Sequence, residues 1–329
     1  MIQQILVPLD GSDRGERALP VAARLAEATG ATLHLVRVVE PPAVSTAALY
    51  APVNVYEDLM ASERGEAAAY LARAAAYVDQ FRVGTDNRGV ERPVRLAHPT
   101  GDVAATLLDY ERDAGIDLVV VCSHGRGGLA RFVLGSVAER LLRHGAAPTL
   151  LVAAWGAPVT LERAVVPLDG SAAAEEALRV VDALAGSVVH EVLLLRAIGV
   201  ADDEPEAARY LREMAERLMR ERLACQWRVT HDDPAEAIAD AAGTDALVVM
   251  AAYGGGRRTP GRSRLARWAL GSVADRVAHG GVAGVLIVHG DVELTHLRQL
   301  GLTHLFQVAR AWRAPSSLVD VDRGLCHVA

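Results

Sequence analysis

The residues best placed to do chemistry lie within positions 117–136, DLVVVCSHGRGGLARFVLGS. Residues 118–121 form a short, β-branched apolar run, the pattern of a strand buried on both faces of a parallel sheet. A polar loop containing Gly125, Gly127 and Gly128 follows, and Gly135-Ser136 then opens an amphipathic helix, VAERLLRH. A strand, a glycine loop and a helix N-terminus in that order make an anion-binding arrangement. Backbone N–H groups face the ligand, the helix dipole favours negative charge, and glycine admits close approach. The donors are then the N–H groups of Gly135, Ser136 and Val137, with the Ser136 hydroxyl as one more. Such spacing is a weak signal by itself. It is strengthened by recurrence, because GSVAER at Gly135 returns as GSVADR at Gly271-Ser272.

The elements that must hold this loop read in order along the chain. Residues 5–10 form a first strand ending at Gly11-Ser12, and a helix follows over about 14–29, with Ala18, Leu19, Ala22 and Leu25 at helical spacing and Gly30 closing it. A second strand covers 33–39, Pro41-Pro42 breaks the chain, and an Ala/Glu-rich helix runs over 56–81. A third strand at 93–97, a helix from Gly101-Asp102 to about Ala114, the loop-bearing strand and a fifth strand at 149–152 complete the unit. Strands alternating with helices predict an α/β fold with a parallel sheet covered on both faces.

The pattern then repeats. AVVPLDGS at 164–171 echoes ILVPLDGS at 5–12, and segments at 192–198, 206–224, 226–230, 234–242, 245–250 and 284–288 follow the order of the first copy. Asp10 and Asp169 are 159 positions apart whereas Gly135 and Gly271 are 136 apart, so the second copy is shorter between those points. This is a tandem duplication. It predicts two α/β domains, 1–154 and 161–289, each a five-stranded parallel sheet with helices on both faces, followed by a tail at 290–329. The tail reads as a helix broken at Gly301 or as a disordered extension.

Composition narrows the class. Aromatics are only 4% of the residues although 51% are hydrophobic, so Ala and Val dominate and small-residue helix packing is expected. Acidic residues outnumber basic ones, 41 to 34, for a net charge of −7, which argues against a general nucleic-acid binder. No apolar run is long enough to span a bilayer, and no signal pattern precedes the first strand. Cys122, Cys225 and Cys326 form neither a CxxC motif nor a disulfide framework. A reducing cytoplasm is the expected compartment.

The unit VPLDGS…LHLVRVV…GDVAATLL…DLVVVCSHGRGGLARFVLGSVAERLL…APTLLV resembles a universal stress protein domain, and the second unit resembles a diverged copy. The resemblance implies a Rossmann-like sheet and, for one branch of the family, ATP binding through Gly, two residues, Gly, nine residues, then Gly followed by Ser or Thr. Gly125 and Gly135-Ser136 fit the later part of that motif, while Cys122 stands at its first glycine. The resemblance further implies that Asp10 and the Val38 backbone face the adenine-ribose end, with Pro8 and Leu9 beside them. Val121, Cys122, His124 and Arg126 would line the triphosphate, and Mg²⁺, if present, would be held mainly by the nucleotide. In the second copy Asp169, Gly271 and Ser272 persist, but sixteen residues, 255–270, replace the nine, with Arg257, Arg258, Arg262 and Arg264 among them. Weaker nucleotide binding is expected there.

Simpler readings stand beside these. Asp10 or Ser136 serves as a helix cap, the loop glycines as turn residues, and Cys122 as a small buried side chain. No P-loop GxxxxGK[ST] and no evident general base is present, so no catalytic residue is assigned and an enzyme would be at most a slow ATPase. The leading expectation is an ATP-binding regulatory switch or sensor whose two domains pair through their fifth strands. A nucleotide-free scaffold of the same fold is the alternative, and a homodimer or an unidentified protein partner stays open.

Overall fold

The computed structural model describes residues 2–41, 53–81, 93–123, 134–218, 223–253 and 270–289. The first repeat supplies strands β1 (Gln4–Pro8), β2 (Thr32–Val36), β3 (Val94–Ala97), β4 (Leu118–Cys122) and β5 (Thr149–Val152). Its helices are α1 (Ala18–Thr29), α2 (Val53–Asp79), α3 (Val103–Asp113) and α4 (Ser136–His144). The second repeat supplies β6 (Arg163–Pro167), β7 (Glu191–Ala197), β8 (Ala224–Thr230), β9 (Leu247–Ala251) and β10 (Gly284–Val288). Its helices are α5 (Ala172–Leu184), α6 (Glu204–Leu218), α7 (Pro234–Ala242) and α8 (Ser272–His279).

The two expected sheets are one. A ten-stranded sheet runs in the order β3-β2-β1-β4-β5-β10-β9-β6-β7-β8. Within each repeat the strands pair in parallel, and the repeats join where β10 pairs antiparallel with β5, Gly284 opposite Val152 and Ile287 opposite Thr149. The fifth strands thus pair as the duplication suggested. Fusion has a physical reason: the fifth strands are short, apolar and buried, and joining them removes two unpaired sheet edges. Close approach is specific at the seam, since a Cβ on Gly284 would meet Val159 Cγ2 at 2.6 Å.

Apolar residues fill both faces of the central strands, which read as continuous hydrophobic runs, while the edge strands β3 and β8 are largely exposed. In β1, Ile5 and Val7 enter the core beneath α1, α2, α5 and α6, while Leu6 enters the core beneath α3, α4, α7 and α8. β4 divides the same way, Leu118 and Val120 to the first core, Val119 and Val121 to the second. Successive side chains point to opposite faces, so each core receives alternate residues. Full burial of each such Val, Leu or Ile contributes roughly 1.5–3 kcal/mol.

Several boundaries differ from the sequence reading. The second strand ends at Val36 rather than at residue 39, with Val39 forming an isolated bridge to Thr100. α6 ends at Leu218, and residue 224, expected at its C-terminus, begins β8 instead. There the register opposite β7, Val192 to Cys225 and Leu194 to Trp227, overrides the helix propensity of the preceding segment. α1 begins at Ala18, after a 3₁₀ turn over Gly15–Arg17. The tail, 290–329, lies outside the described residues. Among the described residues no helix is long and apolar enough to cross a membrane.

Candidate functional site

The order β3-β2-β1-β4-β5 reverses direction between β1 and β4, which places a crevice beyond the carboxyl ends of those two strands. The pairing itself opens it. β1 pairs with β2 over five residues but with β4 only at Ile5–Leu118 and Leu6–Val119. Past that point the ends of β1 and β4 part, and the second repeat parts identically after Ala164–Leu247 and Val165–Val248.

One wall of the crevice carries Pro8, Leu9 and Asp10. The Leu9 N–H donates to the Val36 carbonyl at 2.8 Å and ties the end of β1 to β2. Asp10 Oδ1 accepts from the Ser12 N–H at 3.0 Å and the Ser12 hydroxyl at 2.6 Å, and the same hydroxyl accepts from the Gly15 N–H at 3.1 Å. Asp10 therefore orders the turn after β1 and is not the cap of α1, whose N-terminus has no side-chain cap. Arg37 and Val39 donate to Ala97 and Pro99 of the β3 side, so alternation turns the backbone of Val38 toward β1.

The opposite wall is built from the end of β4 and the start of α4. The Gly135 N–H donates to the Ser123 carbonyl at 2.7 Å, and in the second repeat Gly271 donates to Ala252 at 2.8 Å. Four helices carry side-chain caps: α3 from Asp102, α5 from Ser171, α6 from Asp203 and α7 from Asp233. α4 and α8 instead open on Gly135 and Gly271 with no side-chain cap. Ser136 is therefore the first helical residue, exposed, and not the cap. Among the described residues no side chain caps the first turn of either helix, which leaves the N–H groups of Ser136 and Val137 in the condition for anion binding. Each of these helices is braced alike, Arg140 to Asp102 at 3.2 Å and Arg276 to Asp233 at 2.8 Å; the Ala105 N–H, and then Arg140, hold the Asp102 carboxyl below its usual pKa, and Arg276 does so for Asp233.

Val121 and Cys122 end β4 with buried side chains, Val121 in the core under α3 and α4, so only their backbone is offered to a ligand. His124, Gly125 and Arg126, and the arginine-rich segment of the second repeat, lie outside the described residues. Asp169, at the end of β6, accepts from the Ser171 N–H at 2.9 Å and is exposed. Among the described residues no group of three His, Cys, Asp or Glu is placed to hold a metal.

Sequence reasoning missed a charged cluster on the α1–α2 side of Asp10. The Arg37 guanidinium lies 5.3 Å from the centre of the Tyr70 ring. Tyr70 is buried beside Glu16, and burial, then the Glu16 and Asp10 carboxylates, push its pKa above the usual phenol value. The second repeat has the same set: Arg196 lies 5.1 Å from the Tyr210 ring, and the Tyr210 hydroxyl donates to Glu175 at 3.3 Å. Glu175 and Arg196 follow Glu16 and Arg37 by the same 159 positions that separate the two aspartates. Aligning the copies residue by residue would have exposed them.

A cavity of about 410 Å³ lies where the repeats meet, lined by Ser123, Leu134 and Trp155 of the first and Ala278, His279 and Val282 of the second. Arg14 stacks 5.0 Å from the Trp155 ring, and Arg17 Nε donates to the Ala153 carbonyl at 2.9 Å, fixing the segment after β5.

Fold and crevice define a doubly wound α/β protein with a crevice at its topological switch point. Residues 1–153 match the universal stress protein family. A universal stress protein of Bacillus subtilis is 29% identical over 152 residues, covering 46% of this chain and 99% of that protein. One from Mycobacterium tuberculosis is 26% identical over 309 residues, covering 86% of this chain and 94% of the relative. The fold matches the crystal structure of a universal stress protein from Archaeoglobus fulgidus with a TM-score of 0.60 at 17% identity, covering 88% of this chain and 97% of that one. The first repeat is thus a universal stress protein domain, and the similarity of the Mycobacterium tuberculosis relative extends over both repeats.

Proposed function

We propose that the chain is a cytoplasmic stress-response protein that binds ATP, chiefly in its first domain, as a regulatory switch. The units are taken as 1–154, 161–289 and a tail at 290–329. The observation that carries the reading is the pair of helices, α4 and α8, that open on uncapped glycines beside a parted strand pair, while α3, α5 and α7 are capped. Phosphates are the natural occupants of such helix ends. In the first domain the Ser136 and Val137 N–H groups would receive the phosphates, since the Gly135 N–H expected beside them is held by the Ser123 carbonyl, with His124, Gly125 and Arg126 along them. Asp10 and the Val38 backbone would take the ribose and adenine, beside Pro8 and Leu9, and Mg²⁺ would accompany the phosphates. Asp169, Gly271 and Ser272 would form a weaker second site. Binding that bridges the ends of β1 and β4 favours the arrangement in which those walls are closest, which is what a switch requires.

The test is release of bound small molecules from freshly purified protein by denaturation, followed by chromatography and by calorimetry with added ATP. About one adenine nucleotide per chain, lost in Gly135→Val, is the expected result. Neither carried nor added nucleotide bound would refute it. The second reading, a nucleotide-free scaffold, draws on Cys122 and Ala251, both buried at strand ends where the ATP-binding motif has glycine.

A further inference from the structure

The cavity at the seam is built by residues of one side only. Leu150 stands opposite Leu286 in the antiparallel pair that joins the repeats. Each fifth strand is held alike by its fourth: the Ser123 N–H donates to the Val152 carbonyl and the Ala252 N–H to the Val288 carbonyl, both at 2.8 Å. The repeats are therefore related across the seam by a pseudo-two-fold axis, and residues 136 positions apart in these segments are counterparts. The cavity lies to one side of that axis. Its lining includes Ala153, Ala278 and Gly280, whose counterparts are the much larger His289, Leu142 and His144.

The lining also defines what fits. A space of about 410 Å³ lies within the range of small-molecule sites. Leu134, Leu151, Val282 and Val285 make it largely apolar, and among the described residues no charged side chain lines it. An anion such as a nucleotide phosphate finds no counter-charge there. One wall is set in advance: Arg17 donates to the Ala153 and Gly156 carbonyls, both at 2.9 Å, and Arg14 stacks on the Trp155 ring. A ligand is spared the cost of ordering that wall. The polar feature is His279. A carbonyl only accepts, so the 2.6 Å contact with the Asp275 carbonyl commits His279 Nδ1 to donating. Nε2 of the neutral ring is then an acceptor, and among the described residues nothing donates to it.

We propose that this cavity is a second ligand site, for a neutral planar aromatic molecule of about two fused rings bearing one hydrogen-bond donor, since roughly 150 Å³ of apolar cavity already takes up a single benzene ring. Its rings pack on Trp155 and the apolar side chains, and its donor meets His279 Nε2. Such a ligand touches both repeats at once. The proposal stands apart from the nucleotide reading, because the cavity lining contains neither Asp10 nor Ser136 nor Val137.

The experiment is calorimetry of the full chain at about pH 8, where an unperturbed imidazole is neutral. The probes are 2-naphthol and its methyl ether, which keeps the rings and loses the donor. The proteins are the wild type, Ala278→Leu and the half-buried His279→Leu, with thermal melts to verify folding. The wild type should bind one naphthol per chain and the ether about three- to tenfold more weakly, the effect of one hydrogen bond. Ala278→Leu, which sets the side chain of its counterpart Leu142 into the space, should weaken both probes by about tenfold or more. His279→Leu should bind the two probes equally, and that loss of discrimination decides the matter if Ala278→Leu does not fold. Added ATP should displace neither probe. No saturable binding, equal wild-type affinities, indifference to a folded Ala278→Leu, or displacement by ATP would each overturn the proposal. If ATP itself does not bind, the nucleotide reading falls and this one is unaffected.

Discussion

Replacing His34 by glutamine is expected to flatten the acid limb of the protein's stability profile. His34 lies in β2 with 1% of its surface exposed, between Tyr110 on α3 and Gln4 on β1. Its Nε2–H donates to Gln4 Oε1 at 2.7 Å, which leaves Nδ1 to accept from the Tyr110 hydroxyl at 2.8 Å. That pattern needs the neutral ring. Burial, and then the charge of Arg95 directly opposite on β3, lower its pKa from 6.5 to about 4. Between those values the unfolded chain holds a proton that the native protein does not, so stability is complete above pH 6.5 and is lost as the pH falls toward 4. At 1.36 kcal/mol per pH unit, the loss attributable to His34 is about 2 kcal/mol by pH 5 and about 3 kcal/mol by pH 4. Urea unfolding of the wild type and His34→Gln at pH 7.5, 6 and 5 checks this, and taking the difference between them cancels other titrating groups. A variant whose stability falls with pH as steeply as the wild type would refute the reasoning.

The buried carboxylate of Glu111 accepts from the Ala146 and Ala147 N–H groups at 2.6 and 2.7 Å, and burial raises its pKa despite those donors. Glu111→Ala, which orphans both, should cost about 2–4 kcal/mol by urea unfolding. Glu111→Gln keeps an acceptor without the charge, so it should compare best with the wild type at neutral pH, because a raised carboxyl pKa means stability lost as the pH rises through it. At the seam, Gly284→Ala sets a methyl against Val159 Cγ2 and should lower stability by roughly 1–3 kcal/mol, read as a drop in the denaturation midpoint with the slope unchanged.

Much of this protein could be read from local pattern. The bounds of α7 and β10, Pro234–Ala242 and Gly284–Val288, are those expected from periodicity and turn residues, because burial on known faces imposes those periods directly. The glycines at 135 and 271 and the aspartates at 10 and 169 were visible as repeated types at fixed spacing. Strand ends were less legible. Residue 224 joined β8 because a partner strand was there to pair with it, and no local residue announces a partner.

What the sequence determined by itself is therefore the inventory: a duplicated β–α alternation, apolar strands buried on two faces, and a glycine-opened helix after the fourth strand. Tertiary structure decided what meets what. It fused two sheets through β5 and β10, set Arg37 against Tyr70, placed His34 between Gln4 and Tyr110, and brought the α-carbon of Gly15 against the carboxylate of Asp10. Periodicity records only whether a side chain faces water or the core. The identity of the neighbour across the core is fixed by the packing of segments distant in the chain, and that information is spread over all of them.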